Sequence, residues 1–130
     1  MENHFTRVKN FLQDLEYQIV SESQSDGIFT VEKESNLIKG MVIDIEEPIL
    51  VLEQMLFEVK SDKPEMYKTL LQKNRDIIHG AFVLDETGKK VLFRDTLQIE
   101  SLDLNELEAS LNSLTLLLTE FGETIIAYSK

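Results

Sequence analysis

Residues 64–107 read PEMYKTLLQKNRDIIHGAFVLDETGKKVLFRDTLQIESLDLNEL, and this stretch decides the fold class. Its first part, Pro64–Ile78, predicts a helix that stops at His79-Gly80, because glycine commonly follows the last turn of a helix. Residues 81–95 then predict a β-hairpin around Glu86-Thr87-Gly88, where glycine accommodates a positive φ. A helix, a pair of antiparallel strands and a new helix start together predict an α+β fold.

The chain before Pro64 predicts one helix followed by strands. Phe5, Val8, Leu12 and Leu15 recur at steps of three and four, which is typical of an amphipathic helix and predicts its end near Glu16. Short β-type runs separated by turn signals then follow at residues 17–21, 28–32 and 37–45.

Residues 49–59, ILVLEQMLFEV, are the ambiguous run of the chain. They are apolar on both faces of a strand, yet several of them also suit a helix, and we predict a strand because of the β-branched and aromatic residues. An apolar strand of this kind has to be covered on both sides. It is either a fully buried central strand, or one face of it contacts a second copy or a peptide. For the latter case the candidate partner-binding residues are Leu50, Leu52 and Leu56.

The C-terminal segment predicts a long capped helix. Asp103 is a candidate N-cap, with Glu106 at the third position. Apolar residues then recur at alternating steps of three and four: Leu104, Leu107, Leu111, Leu114, Leu118, Phe121 and Ile125. This seam is typical of a helix on its own domain's sheet or of an intermolecular coiled coil, and the uncharged flanks favour the former.

The whole chain therefore predicts a single domain over residues 1–130 with the element order α-β-β-β-β-α-β-β-α. We expect an antiparallel sheet of five or six strands with three helices, since a chain of this length buries enough surface for one core.

The formal net charge of −11 restricts the partners of the protein. A strongly acidic surface repels phosphate backbones and anionic lipid headgroups, so we expect no nucleic-acid partner and no membrane partner. The excess of acidic residues favours solubility, and it also suits a basic partner. The sequence has neither the apolar run of a signal peptide nor that of a membrane span, and we expect a cytoplasmic protein.

The residues that usually carry chemistry form no recognisable site. Cysteine is absent, and the histidines are His4 and His79 alone, in no metal-binding spacing. His79 is expected to end the middle helix rather than to bind a metal. The many neighbouring carboxylates arise by chance in so acidic a chain. We therefore predict no catalytic residue, no metal site, no cofactor and no enzymatic activity.

The order of elements, with Leu70–Asn74, Gly80–Leu84, Gly88 and Phe93 at their places in it, resembles the YbjN-like family. That family is similar in fold to the type III secretion chaperones of the Tir/CesT class. The resemblance implies a homodimer that binds a protein or peptide partner and has no enzymatic activity. One departure is the prediction of four strands before the middle helix, where secretion chaperones usually have three. A small regulator in sensory transduction, with a ligand pocket between sheet and helices, is the alternative.

Overall fold

The computed structural model describes residues 3–130 and contains three α-helices and a six-stranded sheet. In chain order the elements are α1 (His4–Asp14), β1 (Gln18–Ser23), β2 (Ile28–Lys33), β3 (Ile38–Glu46), β4 (Ile49–Glu58), α2 (Pro64–Lys73), β5 (Ala81–Leu84), β6 (Lys90–Gln98) and α3 (Leu104–Tyr128). Short 3₁₀ turns follow β2 and α2. The predicted fold class and element order are confirmed.

The sheet is antiparallel throughout and has the strand order β1-β2-β3-β4-β6-β5. The first four strands form a meander, and β6 pairs with β4 while β5 takes the outer position. The strand β4 is therefore central, as its two-faced apolar sequence predicted, and β1 and β5 are the edges.

All three helices pack on one face of the sheet, which we call the helix face. Its strand residues form one apolar cluster with buried side chains from each helix, among them Phe5 of α1, Leu70 of α2 and Leu111 of α3. The ring of Phe5 stacks on that of Phe29 in β2, with the ring centroids 4.4 Å apart. Among residues 3–130 no helix covers the opposite face of the sheet, and we call it the open face.

The helix α3 lies along the helix face through the predicted seam. Leu107, Leu111 and Leu114 are each no more than 1% exposed, so the seam contacts the domain's own sheet. The predicted cap is present, since the Asp103 side chain accepts a hydrogen bond of 2.8 Å from the backbone N–H of Glu106. Ser110 is fully buried and donates a 2.7 Å hydrogen bond to Asp95 of β6, which satisfies its hydroxyl.

The middle helix is shorter than predicted. It ends at Lys73 and continues only as a 3₁₀ turn over Asn74–Asp76, while Ile77 is extended and Ile78 is 84% exposed. The prediction of a helix through Ile78 is wrong, because a tertiary contact of Asn74 with β5 outweighs the helix propensity of the segment that follows. The N-cap position of this helix is Lys63, which makes no side-chain cap hydrogen bond, and the carboxylate of the preceding Asp62 accepts a hydrogen bond of 2.6 Å from the Tyr67 hydroxyl.

Candidate partner-binding surfaces

The candidate residues Leu50, Leu52 and Leu56 lie on or beside the helix face. Leu50 and Leu52 are 0% exposed and belong to the apolar core, and Leu56 is partly buried against it at a bulge in β4. In this conformation Leu50 and Leu52 fill the space beneath the helices, which is one of the two alternatives that the sequence left open. The most exposed apolar side chain of β4, that of Met55, lies on the other face of the sheet.

The open face carries apolar side chains across four strands. On β4 it presents Met55, which is 46% exposed, and on β3 Val42, which is 38% exposed, whereas Val51 of β4 lies on the same face but is only 6% exposed. The pairing of Met55 with Leu92, and of Leu92 with Val83, extends this apolar surface through β6 to the edge strand β5. Single exposed apolar residues are common, but a set that continues across strands indicates a contact surface.

The open face also carries carboxylates in a regular arrangement. Each of three cross-strand pairs between β3 and β4 joins one carboxylate to one apolar residue: Val42 with Glu53, Asp44 with Val51, and Glu46 with Ile49. Glu53 forms an ion pair with Arg94 of β6. Asp44 and Glu46 have no such cation partner among the described residues.

Asp44 is the carboxyl group most affected by this arrangement. Burial raises its pKa above the ordinary value, and a hydrogen bond with Glu46 and the negative charges of Glu46, Glu53 and Asp26 raise it further. Burial and the neighbouring negative charges both raise the pKa, because each disfavours the ionised carboxylate.

A second apolar surface, which we call the edge groove, lies between α2 and β5. Its volume is about 270 Å³, and it is lined by Tyr67, Leu70, Leu71, Phe82, Val83, Leu84 and Val91. Leu71 of α2 and Leu84 of β5 are 67% and 45% exposed, so both edges of the groove present leucine side chains to solvent.

The main chain of β5 is partly closed to an added strand. The side chain of Asn74 accepts a 2.8 Å hydrogen bond from the Phe82 N–H and donates a 3.2 Å hydrogen bond to the Phe82 C=O. One amide side chain thus occupies the main-chain groups that a further strand would use at this residue. A partner at this edge consequently binds through side chains more than through strand pairing.

The other edge strand, β1, is polar and irregular. Five of its six residues are outside the core, and the pairing with β2 shifts between Ile19 and Ser21, where the intervening Val20 is 53% exposed. A bulge of this kind bends a free edge and weakens it as a template for strand addition.

The space between α3 and the β1–β2 end of the sheet offers little room for a ligand. A cavity between α3 and the sheet, lined in part by Tyr17, Asn36 and Glu108, has a volume of about 20 Å³. That is enough for about one water molecule. The roomiest polar depression, about 630 Å³, lies on the surface at one end of β1–β3, beside Glu32, Lys33 and Lys39.

His79 does not end the middle helix as expected, because it lies beyond the 3₁₀ turn that follows α2. Its backbone carbonyl accepts a 2.6 Å hydrogen bond from Ser113, which attaches this loop to α3. Within residues 3–130, no group of three or more histidine and carboxylate side chains is placed to hold a metal ion. None of the helices in that range is both long and apolar enough to cross a membrane.

The sequence left open whether Leu50, Leu52 and Leu56 bind a partner or fill the core, and the structure places Leu50 and Leu52 in the core. The alternation of Ile49, Val51, Glu53 and Met55 was a signal for the open face, since these positions share a face in any strand. The role of Asn74 had no signal in the sequence, because it depends on the return of the chain to β5.

The CesT_Tir_1 family model matches residues 1–130 of this chain. A chain of the HopA1-SchA chaperone-effector complex is 17% identical with a TM-score of 0.62, over 95% of this chain and 91% of that chain. YbjN from E. coli is 14% identical with a TM-score of 0.63, over 95% and 93%. The Yersinia pestis type III secretion chaperone SycH, in complex with a fragment of YscM2, is 19% identical with a TM-score of 0.57, over 98% and 100%. At these identities the likeness shows a shared fold. No curated protein matches the sequence.

Proposed function

Because the chain belongs to the CesT_Tir_1 family, we propose that it is a non-enzymatic, chaperone-like module that holds a segment of a partner protein. The observation that carries the proposal is the open face, which stays uncovered while three helices cover the other side of the sheet. An apolar surface that continues from Val42 through Met55 to Val83 is costly to leave in water, so contact with a partner stabilises it. We place the partner surface on β4, on the face opposite Leu50 and Leu52.

The fold neighbours are consistent with this role. SycH and a chain of the HopA1-SchA complex share this fold and were solved with protein partners. The alternative, a regulator with a ligand pocket between sheet and helices, has less support, because the cavity between α3 and the sheet holds about one water molecule.

A homodimer is the second part of the proposal, and the edge groove is its contact. In a twofold contact the same surface is used on both copies, so Leu71 of each copy can enter the groove beside Leu84 of the other. Exposed leucines at the edges of an apolar groove suit such a self-complementary contact. This leaves the open face of each copy available to the partner.

The partner proposal is tested with the variant Met55→Glu, which places a charge in the centre of the open face. The variant should fold, since Met55 is 46% exposed, and should capture at least about tenfold less partner from a lysate of the source cells. The matched control is Leu116→Glu, at a residue of α3 that is 56% exposed and on the other side of the molecule. Equal capture by both variants and the wild type would show that the open face is not the binding surface.

The variant Leu52→Glu separates surface from core on the same strand. Leu52 is fully buried, and an unpaired buried charge costs several kcal/mol, so this variant should unfold or fail to express. Circular dichroism should show that Leu52→Glu is unfolded and that Met55→Glu is folded, and this measurement needs no known partner.

A further inference from the structure

We infer that the segment held on the open face is basic as well as apolar, with a lysine or arginine seated between Asp44 and Glu46 while neighbouring apolar residues contact Val42 and Met55. This inference rests on the proposed function and names the chemical class of the partner. It follows from the arrangement of side chains on β3 and β4.

The first step is that charge and apolar surface are interleaved on this face. Because Asp44, Glu46 and Glu53 each have an apolar cross-strand neighbour, a purely apolar segment would desolvate these carboxylates without giving them a cation. A purely basic segment would leave the exposed side chains of Val42 and Met55 in water. A segment that alternates both kinds of side chain satisfies the whole surface.

The second step is that the two described cations of β6 on this face lie beside other carboxylates, Arg94 opposite Glu53 and Lys90 opposite Glu58. Arg94 is paired with Glu53, whereas Asp44 and Glu46 lie together on β3, two residues apart and on the same side of the strand. Their mutual repulsion is relieved by a positive charge from outside the chain. The net charge of −11 also favours the approach of a basic segment at long range, since it creates a negative potential around the molecule.

The third step is a match of spacing. Alternate residues of an extended segment lie about 6.6–6.8 Å apart on one face, and this is also the repeat of Val42, Asp44 and Glu46 along β3. An extended segment that runs along β3 on the open face can therefore present one apolar and one basic side chain to successive positions of the strand.

The predicted binding depends on pH in a defined direction. A bound cation stabilises the ionised form of Asp44, whose pKa in the free protein is raised by burial and by Glu46, Glu53 and Asp26. Binding is therefore strongest above that raised pKa and weakens as the pH falls through it. The variant Asp44→Asn should remove most of this dependence.

The experiment uses dye-labelled peptides of about ten residues, long enough to run along β3, and follows their binding by fluorescence anisotropy. In the first peptide lysine and leucine occupy alternate positions of one face, with serine on the other. The second and third peptides have glutamine and glutamate in place of lysine.

The protein is the full chain, in wild-type form and as the double variant Asp44→Asn/Glu46→Gln. The matched control is Glu120→Gln/Glu123→Gln, which removes the same charge from exposed positions of α3.

We expect the lysine peptide to bind the wild type more tightly than the glutamine peptide and far more tightly than the glutamate peptide. The variant of β3 should weaken binding of the lysine peptide by about five- to tenfold, and the control by less than about twofold, because exposed ion pairs contribute modestly and only where they form. Raising the salt concentration should reduce the difference between the two double variants. The single variant Glu46→Gln, at an exposed position, gives a smaller loss of the same kind without any change in packing.

The inference is overturned if both double variants weaken binding equally, because net charge alone then explains the effect. It is also overturned if the glutamine peptide binds as tightly as the lysine peptide; in that case a loss of binding in Met55→Glu would still support the open face as a protein-binding surface. If no peptide binds the wild type, or if Met55→Glu changes the binding of none of them, the proposed function fails as well.

Discussion

At the scale of single residues, Gly80 shows how tightly the chain returns to the sheet. Its φ is +85°, and a Cβ atom there would lie 2.5 Å from Cζ of Phe93 and 3.0 Å from the backbone oxygen of Arg94. Such contacts do not occur between real atoms, so any side chain at this position displaces β6 or the loop itself. Glycine is required here by space as well as by backbone conformation.

We expect Gly80→Ala to lower the free energy of unfolding by more than about 2 kcal/mol, because a backbone strain of roughly 1 kcal/mol is added to the displacement of Phe93. Gly40→Ala is the matched control: its φ is +68°, and nothing lies within 4 Å of the added Cβ, so that variant has the backbone strain alone. Urea denaturation measures both. If both variants lose the same free energy of unfolding, the contact of the added Cβ with Phe93 does not destabilise the protein.

At the scale of elements, the sequence predicted existence and order well and failed at one boundary. The seam of α3 and the hairpin of β5 and β6 were predictable because their signals are local. The end of α2 was not, since Asn74 bonds to Phe82 across the loop. The orientation of β4 was not predictable either, because a period of two residues does not tell which face the helices cover. For that reason the sequence left two alternatives for Leu50, Leu52 and Leu56, a partner surface or a place in the core.

The packing of α3 leads to a prediction for its leucines. Leu111→Ala and Leu114→Ala should each lower the free energy of unfolding by about 2–5 kcal/mol, as buried leucines do when a cavity replaces the side chain. Leu116→Ala on the same helix is the control, since Leu116 is 56% exposed and its loss should change stability by less than about 0.5 kcal/mol. Melting temperatures that do not separate the three variants would contradict the contact of α3 with the sheet.

At the scale of the whole molecule, the prediction is a dimer with twice the 15.0 kDa mass of one chain. Light scattering coupled to size exclusion at tens of micromolar protein should report this mass for the wild type and for Leu116→Glu. Leu71→Glu, at the edge groove, should give the monomer mass. Because both copies are strongly acidic, moderate salt should strengthen the dimer by screening their repulsion. A monomer mass for the wild type in both low and moderate salt would rule out the dimer.

The side chain of Asn74 affects how fast a main-chain amide proton of β5 exchanges with solvent. Amide protons of a four-residue edge strand ordinarily exchange with solvent deuterium early, because such strands open locally. Since the Phe82 N–H is held by Asn74, its exchange should be governed by the departure of α2 from the edge rather than by fraying of β5. In Asn74→Ala the same proton should exchange faster, and the N–H and C=O that become free would add a stretch of unpaired main chain beside the apolar edge groove. The Asn74 side chain would then be what keeps the protein in solution. Without it, we expect further copies to add slowly to this edge strand by strand.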